Sequence, residues 1–173
     1  RALIPRPETE LVALQAVACL QGLSRPRVAD VGCGTGCLGL YVAQARPDAQ
    51  VTLLDVSPEA PALTQDNARG LGLPVRLREQ DLACPLWDGP YDLIVSNPPY
   101  IPTGDLAGLQ PEVRLEPRLA LDGGPDGLDC YRHLARRLQD SLRPGGALVL
   151  EVGFVLYCMA VRQGERAEFL ALF

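Results

Sequence analysis

A neutral amide and an aromatic ring close an apolar run in this chain, where Asn97-Pro98-Pro99-Tyr100 follows Asp92-Leu93-Ile94-Val95-Ser96. Asn97 offers both a carbonyl acceptor and an NH2 donor, the two-sided polarity that pairs with another amide or with an adenine amino group. Tyr100 adds a flat face for stacking. Consecutive prolines fix their own φ and hold the residue before each in extended geometry, so Asn97 cannot continue into a helix, and the run ends abruptly with its last carbonyls free. Two readings of this tetrapeptide stand side by side: a clamp for a planar NH2 group, or a rigid proline turn with an Asn cap.

A second set of candidate residues lies upstream. Asp30-Val31-Gly32-Cys33-Gly34-Thr35-Gly36 follows an apolar run, and its glycines permit a tight turn whose backbone N–H groups can approach a ligand, or simply close packing. The dinucleotide fingerprint G-x-G-x-x-G requires glycine at position 37, where this chain has Cys37, which disfavours NAD. Asp55 ends the next apolar run, 19 residues after Gly36, where a carboxylate can accept two hydrogen bonds from a ribose diol. Asp81 follows a third run and can receive an exocyclic amino group from an adenine lying against Leu82, although taken alone it reads as a solvated surface carboxylate. Three such loops at successive strand ends describe an adenosine pocket, since ligands of open α/β sheets bind beyond the carboxyl ends of the strands.

These loops need a parallel sheet to align them. The chain alternates Val28 to Val31 with an apolar helix, then Val51 to Asp55 with a helix over 58–71. Strands follow at Val75 to Glu79, Asp92 to Ser96 and Ala147 to Val152, the last preceded by a helix over 127–142 that the Arg143-Pro144-Gly145-Gly146 turn closes. Thr9 to Leu20 has apolar residues at helical spacing and packs on one sheet face. Ile101 to Asp126 is the one long irregular segment, a type often functional.

Composition narrows the classes. The 173 residues are 47% hydrophobic and 21% charged, enough for one domain with a sizeable core. The net charge is -5, and all 16 basic residues are arginine, with no basic stripe of the kind that binds nucleic acid and no lysine to hold a triphosphate. The six cysteines lie mostly in apolar segments without a Cys-x-x-Cys pair and read as buried hydrophobes in a reducing compartment. Cys33 and Cys37 have no second pair to complete a zinc site, so no metal is expected. His133 reads as a helix-surface residue. The apolar stretch from Ala147 to Val161 is interrupted by Glu151 and too short to span a bilayer.

Taken together, these residues resemble the class I S-adenosylmethionine-dependent methyltransferases, and specifically the HemK/PrmC family, which methylates a glutamine side-chain amide in peptide-chain release factors. The resemblance runs through Leu3-Ile4-Pro5-Arg6-Pro7-Glu8-Thr9-Glu10, the Gly32 to Gly36 turn, Asp55, Asp81, Asn97 to Tyr100, and the loop from Glu112 to Leu128. Asn-Pro-Pro-Tyr is shared with adenine-N6 DNA methyltransferases; the Pro5 to Glu10 signature is the more selective part. The resemblance implies a Rossmann-like sheet flanked by helices. It also implies a site for S-adenosylmethionine formed by Asp30, Gly32, Cys33, Gly34, Thr35, Gly36, Asp55, Asp81 and Leu82. Asn97 is shared with the substrate site, where Asn97 and the Pro98 carbonyl hold the substrate amide, with Pro99 and Tyr100 beside them. Asn97, Pro98 and Tyr100 are the expected catalytic group. The Pro5 to Glu10 segment lies near the same pocket.

The chemistry implied needs no strong base. Two acceptors on the hydrogens of an amide raise electron density on its nitrogen and aim it, so positioning supplies most of the catalysis. Residues 1–173 read as a single methyltransferase domain, with 1–20 carrying the signature and a helix and 154–173 an atypical tail. Against the family pattern, neither the upstream helical domain nor the C-terminal strand pair is expected within residues 1–173, and the fifth strand is expected to present an exposed apolar edge. The expected partner is a release factor, with neither DNA nor membrane, in the cytoplasm, or in an organelle if a transit segment has been removed. The rival readings are an adenine-N6 nucleic-acid methyltransferase and a non-catalytic adenosine-binding remnant.

Overall fold

The computed structural model describes residues 2–81, 88–153 and 157–162, the last of these as backbone only. Leu82, Cys84 and the segments 154–156 and 163–173 lie outside the described residues, and with them the expected adenine contact of Leu82 and most of the atypical tail.

Among the described residues six strands form one sheet: β1 (Arg27–Val31), β2 (Gln50–Asp55), β3 (Arg76–Glu79), β4 (Tyr91–Ser96), β5 (Leu142–Val152) and β6 (Tyr157–Arg162), in spatial order β3-β2-β1-β4-β5-β6. The first five are parallel and β6 is antiparallel to β5. Strands buried on both faces of a parallel sheet read as continuous apolar runs, and β1, β2 and β4 are almost wholly buried. By contrast β3 is largely exposed and carries Arg76, Arg78 and Glu79, charges that blunt an edge strand.

Alternation along the strands feeds two cores. Leu93, Val95, Ala147 and Val149 face one side, where they pack with α1 (Thr9–Cys19) and α2 (Cys37–Ala45). Tyr91, Ile94, Leu148 and Leu150 face the other and pack with Tyr131 and Leu134 of α4 (Asp129–Ser141). Helix α3 (Ala60–Leu71) joins the first core through Ala68 and ends on Gly72 in the left-handed region, a common stop for a helix.

Two expectations are corrected. The outer edge of β5 is not bare, because β6 pairs with it from Ala147–Arg162 to Val152–Tyr157. Among the described residues the sheet continues past β5 with one antiparallel strand rather than a strand pair, and that strand covers the edge of β5. Arg143 to Gly146 belongs to the first part of β5 rather than to a helix-closing turn. The pairing of β5 with β4 shifts register between Tyr91 and Leu93 to accommodate it, and Gly146 lies so near the Tyr91 and Asp92 carbonyls that a Cβ there would sit 3.1 and 3.2 Å from them.

The strand order reverses at β1, which lies between β2 and β4. In open α/β sheets that reversal opens the crevice in which ligands bind. Register brings the strand ends level: Val31 pairs with Leu54 and with Ser96, and Ser96 pairs with Leu150. Gly32, Asp55, Asn97 and Glu151, each one residue further on, are therefore neighbours along one rim.

Candidate active site

The glycine turn after β1 is tied to its surroundings by backbone and side-chain bonds. Leu54 O accepts from the N–H groups of Gly32 (2.8 Å) and Cys33 (3.0 Å), and Cys33 O accepts from Gly36 N–H at 2.7 Å. Gly32, Gly34 and Gly36 all have left-handed φ, between 56° and 80°, a region that side chains with a Cβ rarely occupy. Helix α3 braces the turn: the Thr64 hydroxyl donates to Gly34 O (2.8 Å) and Asn67 Nδ2 donates to Thr35 O (2.9 Å). Asp55 accepts from Gly34 N–H at 2.8 Å on one oxygen and from Ser57 N–H at 2.8 Å on the other. Those bonds fix the carboxylate at the end of β2 and leave it further lone pairs for a ligand.

Beneath the turn, Asp30 is 1% exposed and accepts from Gly39 N–H at 2.8 Å. Burial pushes its carboxyl up to about 7; the Gly39 bond opposes the rise and the charge of Asp55 adds to it. Burial, then Asp30 and Asp55, raises the Cys33 thiol well above its ordinary range. The Cys130 thiol is pushed up to about 11 by burial, followed by Asp129 and Asp81. Thiols held protonated at neutral pH are walls, not nucleophiles.

At the end of β4 the Ser96 hydroxyl donates to Val31 O at 2.6 Å, satisfying a strand-end carbonyl. Asn97 Nδ2 donates to Thr9 Oγ1 at 3.4 Å, and the Thr9 hydroxyl donates to Glu151 Oε2 at 2.7 Å. Asn97 Oδ1 is shielded from solvent and has no hydrogen-bond partner. Glu151 is 9% exposed. Burial raises its carboxyl above the usual range, bonds from Thr9 and Asn97 lower it, Glu8 adds to the rise and Arg6 offsets it. Thr9 is the residue of the Pro5 to Glu10 signature whose atoms reach the amide. Arg6 reaches the opposite wall, with Nη2 2.7 Å from Glu116 Oε1.

The long segment after Tyr100 is ordered by its own hydrogen bonds. Three 3₁₀ turns, at Thr103–Gly108, Val113–Leu115 and Arg118–Ala120, are closed by a bridge between Ile101 and Asp122. The Asp122 carboxylate accepts from Thr103, Arg118 and the Gly124 N–H. Gly123 and Gly127 fold so tightly against the Tyr100 backbone that a Cβ on either would lie under 3 Å from it.

All of this surrounds one cavity of about 290 Å³. Of the residues expected from sequence, Asp30, Gly32, Cys33, Gly34, Thr35, Asp55, Asp81, Asn97 and Pro99 line it; Gly36, Pro98 and Tyr100 do not. Tyr100 is instead half-buried against the core on the α4 side. Sequence reasoning placed the Pro5 to Glu10 segment near the pocket without singling out Thr9, and it missed Ser57, Gln80, Cys130, Pro117, Leu119, Ala120 and Asp122, all of which line the cavity. His133 is corrected: it is half-buried and lines the cavity from α4, one helical step from Cys130. Their spacing carried part of that signal, since residues three apart share a helix face, but not which way the face turns. Asp55 and Asp81 line the cavity together with Asp30, whose proton burial retains toward neutrality, and Asp122, which is paired with Arg118; no arginine is among the described lining residues. An environment of this sign suits a ligand carrying positive charge and repels phosphates.

Residues 13–107 match the methyltransferase small domain family. The chain is 51% identical over 152 residues to the release factor glutamine methyltransferase of Deinococcus radiodurans, an alignment covering 88% of this chain and 54% of that protein. It is 48% identical over 153 residues to the release factor glutamine methyltransferase of Moorella thermoacetica, covering 87% and 54% respectively. The chain thus spans about half the length of the curated relatives it matches. Among solved structures, the ribosomal protein L11 methylase of Lactobacillus delbrueckii subsp. bulgaricus superimposes with a TM-score of 0.60 at 22% identity, over 84% of this chain and 60% of that one. TrmN of Thermus thermophilus does so with a TM-score of 0.56 at 23% identity, over 80% and 37%. These likenesses speak to the fold.

Proposed function

The chain belongs to the methyltransferase small domain family, and from that premise we propose that it transfers a methyl group from S-adenosylmethionine to the side-chain amide nitrogen of a glutamine in a peptide-chain release factor, acting in the cytoplasm and without DNA. The observation that carries this reading is a single cavity walled jointly by the Gly32 to Thr35 turn, Asp55 and Asn97. The relatives' shared name supplies the substrate class.

The residues present fit such a cofactor. A Cβ added to Gly32 would meet nothing within 4 Å, so open space lies directly against the backbone on the cavity wall. Asp55 is fixed by two N–H bonds with lone pairs to spare for a diol. The carboxylates of the wall suit a sulfonium and an ammonium group. When bound, the cofactor supplies an electrophilic methyl group attached to a cationic sulfur.

The role of this chain's own groups is to hold the acceptor amide. Asn97 Oδ1, which has no hydrogen-bond partner, accepts one N–H of the substrate amide, and the second acceptor is the one the resemblance implies, the Pro98 carbonyl, although Pro98 is not among the residues lining the cavity. An acceptor on each hydrogen increases the electron density of the nitrogen and fixes its direction, and the protein contributes orientation and dipoles instead of a base. Pro117, Leu119, Ala120 and Asp122, with Cys130 and His133 of α4, bound the far side of the cavity. The transferred methyl replaces one amide hydrogen, which leaves as a proton to solvent.

The test incubates the 173-residue chain and isotopically labelled S-adenosylmethionine with a release factor or with DNA, and locates the label by peptide and nucleoside mass spectrometry. Label on a glutamine amide is expected. Label on adenine would establish the nucleic-acid reading, and cofactor binding with label on neither would establish a remnant. Among the described residues no helix is long and apolar enough to cross a membrane.

A further inference from the structure

The amide of Asn97 has two ends of similar size and opposite hydrogen-bonding character, and the proposed reaction needs its oxygen, not its nitrogen, to be available. An ionised carboxylate only accepts. The single Thr9 hydroxyl hydrogen is therefore directed to Glu151 Oε2 at 2.7 Å, which leaves Thr9 Oγ1 as the acceptor for Asn97 Nδ2 at 3.4 Å. Donor direction thus passes inward from Asn97 to Thr9 and to Glu151, and from Thr9 on to Glu151, and Oδ1 is the end left over. We propose that Thr9 and Glu151 are positioning residues that fix the Asn97 amide with its oxygen as the free acceptor, and so set which face of the clamp a substrate N–H meets.

The inference rests on the reading of Asn97 as the amide clamp. It departs from that reading by placing the selection of orientation on two residues that need not touch the substrate amide. Both come to Asn97 from distant parts of the chain. Glu151 arrives by register, one residue beyond the Ser96–Leu150 pair, and Thr9 is the first residue of α1, where its backbone N–H bonds Arg6 O at 3.0 Å and its hydroxyl is available for side-chain contact.

A protonated Glu151 reverses the chain. Its carboxyl then donates to Thr9, the hydroxyl turns its hydrogen toward Asn97, and the amide rotates to present NH2. The charged and titratable groups around Glu151 are Arg6 and Glu8 of the N-terminal segment, Cys37 of α2, Tyr100 after β4 and Tyr131 of α4, whose hydroxyl donates to Glu151 O at 3.0 Å. Burial leads the upward shift of Glu151, so the reversal falls above the ordinary carboxylate range.

Thr9→Val, which removes the hydroxyl but preserves shape, is expected to lower kcat about tenfold, the effect of one lost orienting hydrogen bond, while cofactor affinity measured by calorimetry changes less than about twofold. Thr9→Ser restores the hydroxyl and recovers most of the loss. Wild-type kcat falls on the acid side as Glu151 takes up a proton, and Glu151→Gln lowers kcat about tenfold and removes that acid limb. A readout independent of transfer follows the side-chain amide of Asn97 by ¹⁵N NMR, assigned from its disappearance in Asn97→Ala. Its signals are expected to move with pH in the wild type and in Thr9→Ser, and to be static in Glu151→Gln. Thr9→Val activity equal to wild type, Thr9→Ser as impaired as Thr9→Val, or an Asn97 amide unresponsive to pH in the wild type would overturn the proposal. Absence of glutamine methylation by the wild type would sink the proposed function alone, and the NMR arm would still decide the role of Thr9 and Glu151.

Discussion

Asp30 gives the most quantitative prediction. Its carboxyl is 1% exposed and is raised from 3.8 to about 7. Each unit of pKa difference between folded and unfolded chains is ~1.36 kcal/mol, so an ionised Asp30 leaves the fold about 4 kcal/mol less stable than a protonated one. The direction follows from where the proton sits. Below about pH 4 both states hold it and the stabilising contribution is complete; as pH rises toward 7 the unfolded chain ionises first, and the contribution is progressively lost. Between pH 5 and 8 the predicted loss is about 2.5 kcal/mol. Asp30→Asn removes this titration while keeping an oxygen to accept the Gly39 N–H, which now bonds at 2.8 Å. Urea unfolding of both proteins at pH 5, 6, 7 and 8 measures the effect. The stability of the variant relative to wild type should rise by about 2.5 kcal/mol across that range. A difference that stays constant from pH 5 to 8 would show that Asp30 does not hold its proton in the fold, and would remove burial as the dominant influence on this side of the cavity. A cationic ligand should reverse part of the penalty by stabilising the ionised form, so saturating S-adenosylmethionine should flatten the wild-type pH dependence.

Three further predictions concern single contacts. Asn97→Ala should abolish methyl transfer to a glutamine peptide while leaving cofactor affinity within a few-fold, read by single-turnover label transfer and by calorimetry; wild-type turnover in that variant would refute the clamp. Gly39→Ala places a Cβ 2.1 Å from Leu53 Cδ2 and 3.0 Å from Asp30 Oδ2, and should lower stability by about 1–3 kcal/mol in urea unfolding as the helix α2 moves off the sheet. Arg6→Ala removes the partner of Glu116, whose side chain is 8% exposed and whose other oxygen already has no hydrogen-bond partner. That change should accelerate hydrogen exchange at the amides of 101–126 and lower stability by about 1–2 kcal/mol.

How much of the molecule was readable from sequence depends on the distance over which each feature is determined. The parallel strands were legible because both faces of β1, β2 and β4 are buried, which makes their residues uniformly apolar. The glycine turn and Asp55 were legible because a tight turn and a strand-end carboxylate are local patterns. The packing of Tyr100 was not legible: its ring is an obvious stacking surface, and only the structure shows two glycines folded against its backbone and the side chain partly buried against the core. Arg143 to Gly146 reads locally as a turn, yet Gly146 can enter the sheet because it has no side chain to strike the Tyr91 and Asp92 carbonyls. His133 and Cys130 were missed because a polar residue on an amphipathic helix gives no local indication of whether its face meets solvent or a cavity. Glu151 was visible as the charge interrupting an apolar run, but its purpose appears only once β4 and β5 are placed in register.

That register also explains why the Arg6 to Thr9 segment is more than a connector into α1. Thr9 bonds the rim of the sheet at Asn97 and Glu151, while Arg6, three residues earlier, bonds Glu116 in the loop that forms the opposite wall. Both attachments pair a short or planar side chain with a largely buried carboxylate, and each would leave an unpaired buried group if lost, so neither is readily exchanged for solvent. One helix entrance therefore joins the rigid sheet to the irregular loop across the cavity. If the segment acts as such a brace, the two bonds should be coupled: the double variant Arg6→Ala, Thr9→Val should lose less stability than the two single losses added together, because release at one end already frees the other. Strict additivity in a double-mutant cycle would show that the two attachments act separately, and that the loop wall is positioned by its own bridge between Ile101 and Asp122 instead.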